Sequence, residues 1–317
     1  MTATADISRR EAWLMAARPQ TLPAGAAPVL IGVGLAVADG TFAPLPAVAA
    51  LVGALLIQIG TNFANDYYDA VKGTDTADRE GFTRVTAGGL IAPAAVKRAM
   101  AATYGLALVA GLSLVAVGGV PILVVGLSSI VAGLLYTGGP YPYGYYGLGD
   151  LFVFVYFGLV AVTGTYYVQA VATMSVGPFP LGLPAGSVTA AALLAGTGAG
   201  ALATNILVVN NIRDRETDRE AGKRTLAVMI GYRWSRVEYL ALQTVASAVP
   251  LILVAMGYSP AVLVAFASLP LAVVVGRTVL TETTGSALNP ALERTGQLLA
   301  LYAVLLAAGL AVPEVIA

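Results

Sequence analysis

Two clusters of acids and amides carry the chemistry available to this chain. Asn62, Asn65, Asp66 and Asp69 form the first, and Asn210, Asn211, Asp214 and Asp218 the second. On a helix, Gln58, Asn62, Asn65, Asp66 and Asp69 fall at i, i+4, i+7, i+8 and i+11, a single polar stripe on an otherwise apolar segment. Asn210, Asp214 and Asp218 repeat at i, i+4 and i+8 and predict a second stripe. Carboxylates at the end of an apolar helix are costly without a cation. Mg²⁺ prefers one or two carboxylates and fills its shell with water and phosphate oxygens, so opposed pairs of acids suit a diphosphate.

Basic residues interleave both clusters and would neutralise a departing anion. Lys72, Arg79 and Arg84 follow the first; Arg213, Arg215, Arg219, Lys223 and Arg224 surround the second. For Asp78, Arg79, Glu80, Arg215, Glu216, Arg219 and Glu220 the competing reading is a solvated surface with weak ion pairs. For Gln58 and Asn62 it is a hydrogen-bonded link between helices. Tyr136, Tyr141, Tyr143, Tyr145 and Tyr146 can face a developing cation or form an interfacial aromatic belt.

The elements that must hold these residues are membrane helices. The chain is 58% hydrophobic and 11% charged, far more apolar than a soluble domain. It contains no cysteine and no histidine, which excludes disulfides, the usual zinc sites and a Ser-His triad. The stretch from Met1 to Arg18 lacks the apolar core and small-residue cleavage site of a removable signal. Apolar runs near 22–38, 45–64, 96–117, 120–136, 149–172, 186–209, 234–256, 260–278 and 292–312 predict about nine spans.

Connections near 39–44, 118–119, 173–185 and 257–259 contain no Lys or Arg. A nine-span count puts every basic residue on the other face, the cytoplasmic one by the positive-inside rule. It also puts both clusters on that face, because they end the second and sixth spans. The chain reads as one domain over 1–317, with a cytoplasmic amino-terminal segment at 1–20, a first aspartate motif at 62–75 and a second at 210–226.

The runs Asn65-Asp66-Tyr67-Tyr68-Asp69-Ala70-Val71-Lys72-Gly73-Thr74-Asp75 and Asp214-Arg215-Glu216-Thr217-Asp218-Arg219-Glu220-Ala221-Gly222-Lys223-Arg224-Thr225-Leu226 resemble the paired aspartate motifs of the UbiA superfamily of intramembrane prenyltransferases. Ala17-Arg18-Pro19-Gln20-Thr21-Leu22-Pro23, Tyr136-Thr137-Gly138-Gly139-Pro140 and Gly147-Leu148-Gly149 are most similar to the 1,4-dihydroxy-2-naphthoate prenyltransferase branch of menaquinone biosynthesis. The resemblance runs from about residue 12 to the carboxyl end.

It implies an all-α bundle of about nine transmembrane helices around a central cavity, roofed by cytoplasmic loops and open sideways to lipid. By the same resemblance Asp66, Asp69, Asp214 and Asp218 hold Mg²⁺ on a polyprenyl diphosphate. Asn62 and Asn65 orient it, with Lys223, Arg224 and Arg84 near the phosphates. Lys72 and Arg18 would meet the carboxylate and hydroxyls of an aromatic acceptor, and Tyr136 the allyl cation; for Arg18 the competing reading is a snorkelling anchor at the membrane surface. Gly73 stands where the family's first motif commonly has an acid, and Asp150 where it often has Glu, so Asp75 and Asp150 are not carried over. Other acceptors within the family are 4-hydroxybenzoate-type phenols and archaeal glycerol-phosphate lipids. Outside it stand a membrane carrier, which would put ionisable groups near mid-membrane, and a metal-binding scaffold without turnover.

Overall fold

The computed structural model describes residues 7–73 and 84–313. Asp75, Asp78, Arg79 and Glu80 lie outside them. In lipid a chain this apolar must satisfy its backbone groups internally, and the described residues do so almost entirely as helices. They are α1 (Arg9–Ala17), α2 (Leu22–Ala38), α3 (Pro44–Lys72), α4 (Pro93–Leu135), α5 (Gly149–Val153), α6 (Ala161–Thr173), α7 (Ala190–Arg213), α8 (Arg215–Glu220), α9 (Leu226–Ala255), α10 (Leu269–Thr281) and α11 (Gly285–Leu310). A π segment, Phe154–Val160, joins α5 to α6, and a 3₁₀ segment, Pro260–Ser268, leads into α10.

Among the described residues, eight helical stretches are long and apolar enough to cross a membrane. The 43-residue α4 counts twice. Extended, it would run about 65 Å, roughly double the hydrocarbon core, but it breaks at Gly119 (φ 62°, ψ −148°). Tyr104 in its first half lies against Gly133 in its second, so the halves double back as a hairpin. Nine crossings result among the described residues, as the apolar runs predict. Gly119 tolerates no side chain: its φ is left-handed, a Cβ there would lie 1.9 Å from the Pro180 carbonyl oxygen, and that oxygen accepts from Val120 N at 3.0 Å.

Small residues set the packing. Lipid tails are as apolar as leucine, so helix association depends on close backbone approach. The central helix α7 buries Ala191, Ala192, Ala195, Ala199, Ala201 and Ala203. Gly158 of the π segment meets Gly196 and Gly200 of α7 so closely that a Cβ on Gly158 would lie 2.4 Å from the Gly196 carbonyl. Around α7 pack α9, α11 and α2, while α3 lies along the α4 hairpin. At the end of the bundle remote from the acids, the Asp39 carboxylate accepts from Tyr166 at 2.7 Å and Tyr258 at 2.9 Å, joining α2, α6 and the α9–α10 connection.

Candidate active site

Helix α3 carries the first motif from Asn62 to Lys72 and stops at Gly73, a left-handed cap with φ 67°. Its polar stripe is therefore real, and Asn62, Asp66 and Asp69 are all buried. The second stripe is broken. α7 ends at Arg213, Asp214 is its cap, and Asp218 sits in the separate short helix α8. Asp218 N still bonds to Asp214 O at 2.8 Å, which fixes the two acids relative to each other. Neither stripe's acids all face one space.

A cavity of about 570 Å³ opens at this end. Asp69 and Asp218 border it, contributed by helices with four crossings between them, together with Asn65, Asn210, Asn211, Arg84 and Lys223. Arg18, Asn62 and Tyr136 also line it, and its remaining wall is largely apolar and runs down between α3, the α4 hairpin and α6. Asp66 and Asp214 are set behind this wall. Thr86 holds Asp66 by both its amide (3.1 Å) and its hydroxyl. Arg213 holds Asp214 bidentately, Nε to Oδ1 at 2.7 Å and a terminal nitrogen to Oδ2 at 2.8 Å, with both side chains about 2% exposed. The same guanidinium reaches Asn210 at 2.8 Å and Asn289 of α11 at 3.0 Å, tying the second motif to the last span.

Tyr145 joins the two motifs. Its hydroxyl donates to Asp69, its ring carries the Lys223 ammonium at 4.8 Å and the Lys72 ammonium at 5.3 Å, and its carbonyl accepts from Arg224 N at 2.8 Å. Arg84 bonds Asp69 at 3.2 Å, and Lys223 stands 3.8 Å from Asp218. Asp69 and Asp218 therefore each have a cation beside them, and the mouth combines charges of both signs.

Three of the five loop tyrosines, Tyr136, Tyr143 and Tyr145, border the cavity, whereas Tyr141 and Tyr146 are exposed and fit an interfacial belt. Burial raises the Tyr136 and Tyr143 hydroxyls above their ordinary range, and nearby Asp150 adds to the rise at Tyr136, so both stay protonated at neutral pH. Gln58 and Asn62 serve as the link between helices that competed with a site role. Asn62 Nδ2 donates to Ala17 O (2.9 Å) and Thr21 Oγ1 (2.8 Å), and Gln58 Nε2 donates to Thr21 at 3.1 Å. This network holds the turn at Arg18, whose φ of 51° is rare for a residue with a side chain and is a local strain of the kind that gathers at functional sites.

Two expected site residues stand elsewhere. The Lys72 ammonium donates to the carbonyls of Thr137 (2.6 Å) and Gly139 (3.1 Å), bracing the loop after α4 instead of bordering the cavity. The Arg224 side chain is exposed and contributes its backbone alone. Arg215 and Arg219 pair with Glu216, as a solvated surface would have them. Thr86, Thr137 (donating to Asn65 at 3.0 Å) and Asn289 were not singled out by sequence, because each meets its partner only through the fold.

The donors fit a hard cation. Asp69, Asp218 and the amides of Asn65, Asn210 and Asn211 offer oxygen ligands, and with no cysteine or histidine no softer ligand competes. Among the described residues no three acids converge. An ion held here would draw its remaining oxygen ligands from water or a bound phosphate group.

The family model for the UbiA prenyltransferase family matches residues 26–301. The 1,4-dihydroxy-2-naphthoate octaprenyltransferase of Escherichia coli (strain K12) is 44% identical over 232 residues, covering 71% of this chain and 70% of that one. The protein of the same name from Mycobacterium tuberculosis is 38% identical over 299 residues, 94% and 96% of the two chains. The structure of a UbiA homolog from Archaeoglobus fulgidus bound to DMAPP and Mg²⁺ covers 93% of this chain and 98% of its own, with TM-score 0.59 and 15% identity, a likeness of fold. The twin aspartate motifs, the nine crossings and the family match agree: this chain belongs to the UbiA prenyltransferase family.

Proposed function

We propose that the chain, acting as one domain, transfers a prenyl group from a polyprenyl diphosphate to 1,4-dihydroxy-2-naphthoate. The observation that carries this reading is the single cavity bordered by Asp69 and Asp218 at a cationic mouth and by apolar side chains below it. A molecule with a diphosphate head and an isoprenoid tail matches both parts. The choice of acceptor is supported by the names of the relatives that are 38–44% identical.

Asp69 and Asp218, with Asn65 and Asn210 beside them, would hold Mg²⁺, which supplies Lewis-acid neutralisation of the diphosphate. Arg84 and Lys223 stabilise negative charge on the departing pyrophosphate as the allylic C–O bond breaks. The apolar wall excludes water from the allyl cation, and the ring face of Tyr136 stabilises it. A ring carbon of the acceptor then forms the new C–C bond. Loss of carbon dioxide from that carbon restores aromaticity, so the prenyl group replaces the carboxylate. Arg18, which lines the cavity wall, would meet the acceptor's carboxylate; Lys72 would act through the loop whose carbonyls it bonds.

Purified protein incubated with Mg²⁺, a prenyl diphosphate and a panel of aromatic acids and glycerol phosphates should give one prenylated naphthalene product lighter by carbon dioxide. Prenylation of 4-hydroxybenzoate with its carboxylate kept, or of a glycerol phosphate alone, would reassign the acceptor.

The motif-bearing end faces the cytoplasm in this reading, because the basic residues gather there. The chain has no cysteine, so single introduced cysteines report topology directly. Those at Tyr146, Arg219 and Thr284, all exposed, should label from the cytoplasm and those at Gly40, Val176 and Tyr258 from the other side. The reverse pattern refutes the orientation, and a split between Tyr146 and Arg219 refutes the shared mouth.

A further inference from the structure

The cavity extends well past its polar mouth. Gly53 and Asp69 lie on the same uninterrupted helix, α3, and positions 53 and 69 are separated by a rise of about 24 Å at 1.5 Å per residue. Gly53 is buried and borders the cavity, yet nothing lies within 4 Å of where its Cβ would be. A buried glycine that borders the cavity with nothing opposite its Cβ faces the open space of that cavity. Gly126, in the returning half of α4, also borders the cavity with nothing within 4 Å, and Gly164 of α6, another lining residue, has only Val125 Cγ1, at 3.7 Å.

These glycines differ from others in the bundle. A Cβ on Gly25 would meet Gln58 at 3.4 Å, and one on Gly60 would meet Tyr104 at 2.9 Å, so those positions are small to let helices approach. Gly53 and Gly126 allow no such approach. Glycine is also a poor helix former, so neither packing nor helix stability accounts for it there. What its absence of a side chain provides is room in the cavity, at a fixed distance from the acids.

We propose that Gly53 is a specificity-determining residue that lets long isoprenoid chains pass the lower end of the cavity. The inference rests on reading the cavity as a prenyl diphosphate site. Three extended backbone bonds span about 3.5 Å, so a four-carbon isoprenoid repeat spans about 4.5 Å, and about five repeats reach from Asp69 to Gly53. A shorter chain ends above Gly53. A longer one must run past it or leave sideways between helices.

The test compares full-length wild type, Gly53→Leu and Gly53→Phe with Mg²⁺, the acceptor that wild type uses, and prenyl diphosphates of three and eight isoprene units. With the eight-unit substrate kcat/KM should fall at least about tenfold, the scale of a steric misfit in an apolar pocket. With the three-unit substrate it should stay within about twofold of wild type. Gly126→Leu, on another helix that borders the cavity, should act in the same direction, and Gly53→Ala, which adds one methyl into open space, should show a smaller loss if the larger variants fail to accumulate. Gly105→Leu, on α4 away from the cavity with nothing within 4 Å of its Cβ, should leave the ratio of long to short substrate unchanged. Equal use of the eight-unit substrate by wild type and the Gly53 variants overturns the proposal, as does equal loss on both chain lengths. A wild type that uses neither diphosphate instead overturns the functional reading beneath it.

Discussion

Asp69→Asn and Asp218→Asn should each lower kcat/KM for prenyl transfer by about 10²–10³, the usual effect of removing one group that stabilises transition-state charge. Both acids border the cavity. The substitution is nearly isosteric and removes charge alone. The thermal unfolding midpoint in detergent should change little for Asp218→Asn, whose ammonium partner stands 3.8 Å away, and fall somewhat for Asp69→Asn, where the lost carboxylate is buried and paired with Arg84. Asp69 carries a further consequence, because its loss releases Arg84 and Tyr145 together. Asp69→Asn should therefore weaken diphosphate binding as well as turnover, whereas Tyr145→Phe, which keeps the ring between Lys72 and Lys223, should cost less than either acid. Retention of more than about a third of wild-type turnover by Asp218→Asn would remove that residue from the chemistry.

A different outcome is expected at Asp214. Its carboxylate is bound on both oxygens by Arg213, and the pair is almost wholly buried. Breaking a buried pair by removing one partner leaves an uncompensated charge and costs about 3–5 kcal/mol. Asp214→Asn should thus lose both activity and stability, seen as a lowered unfolding midpoint and reduced yield. Replacing both partners by apolar residues of similar size, as in Arg213→Met with Asp214→Leu, should recover most of the midpoint, since such exchanges are often neutral. Turnover separates the two roles. If the double variant is stable and inactive, Asp214 serves the reaction as well as the fold; if it is stable and active, the acid is structural.

Much of this was legible in the sequence because the membrane imposes simple rules. Apolar length gave the nine crossings, even where a single helix, α4, had to be cut at Gly119. Segregation of Lys and Arg placed both motifs at one end. The helical period placed Asn62, Asp66 and Asp69 on one buried stripe of α3. The same period failed at the second motif, because the helix stops at Asp214 and nothing in the spacing of Asn210, Asp214 and Asp218 signals the break. Division of the four acids into two at the cavity and two behind it was also hidden. Thr86 and Arg213 decide it, one by a loop that folds back over α3 and the other by a side chain that turns onto its neighbour. The sequence also gives no sign that the Lys72 ammonium, expected to meet the acceptor, bonds the carbonyls of the loop after α4, because that loop reaches it only through the fold.

The central claim is that two separated motifs form one metal-dependent diphosphate site. Equilibrium binding of an unreactive prenyl thiodiphosphate to purified protein, titrated with and without Mg²⁺, tests it most directly. Binding should require Mg²⁺ in wild type, vanish with chelator, return on adding Mg²⁺, and be weakened at least about tenfold by Asp69→Asn and by Asp218→Asn alike. Tight binding in excess chelator, or loss confined to variants of a single motif, would contradict it.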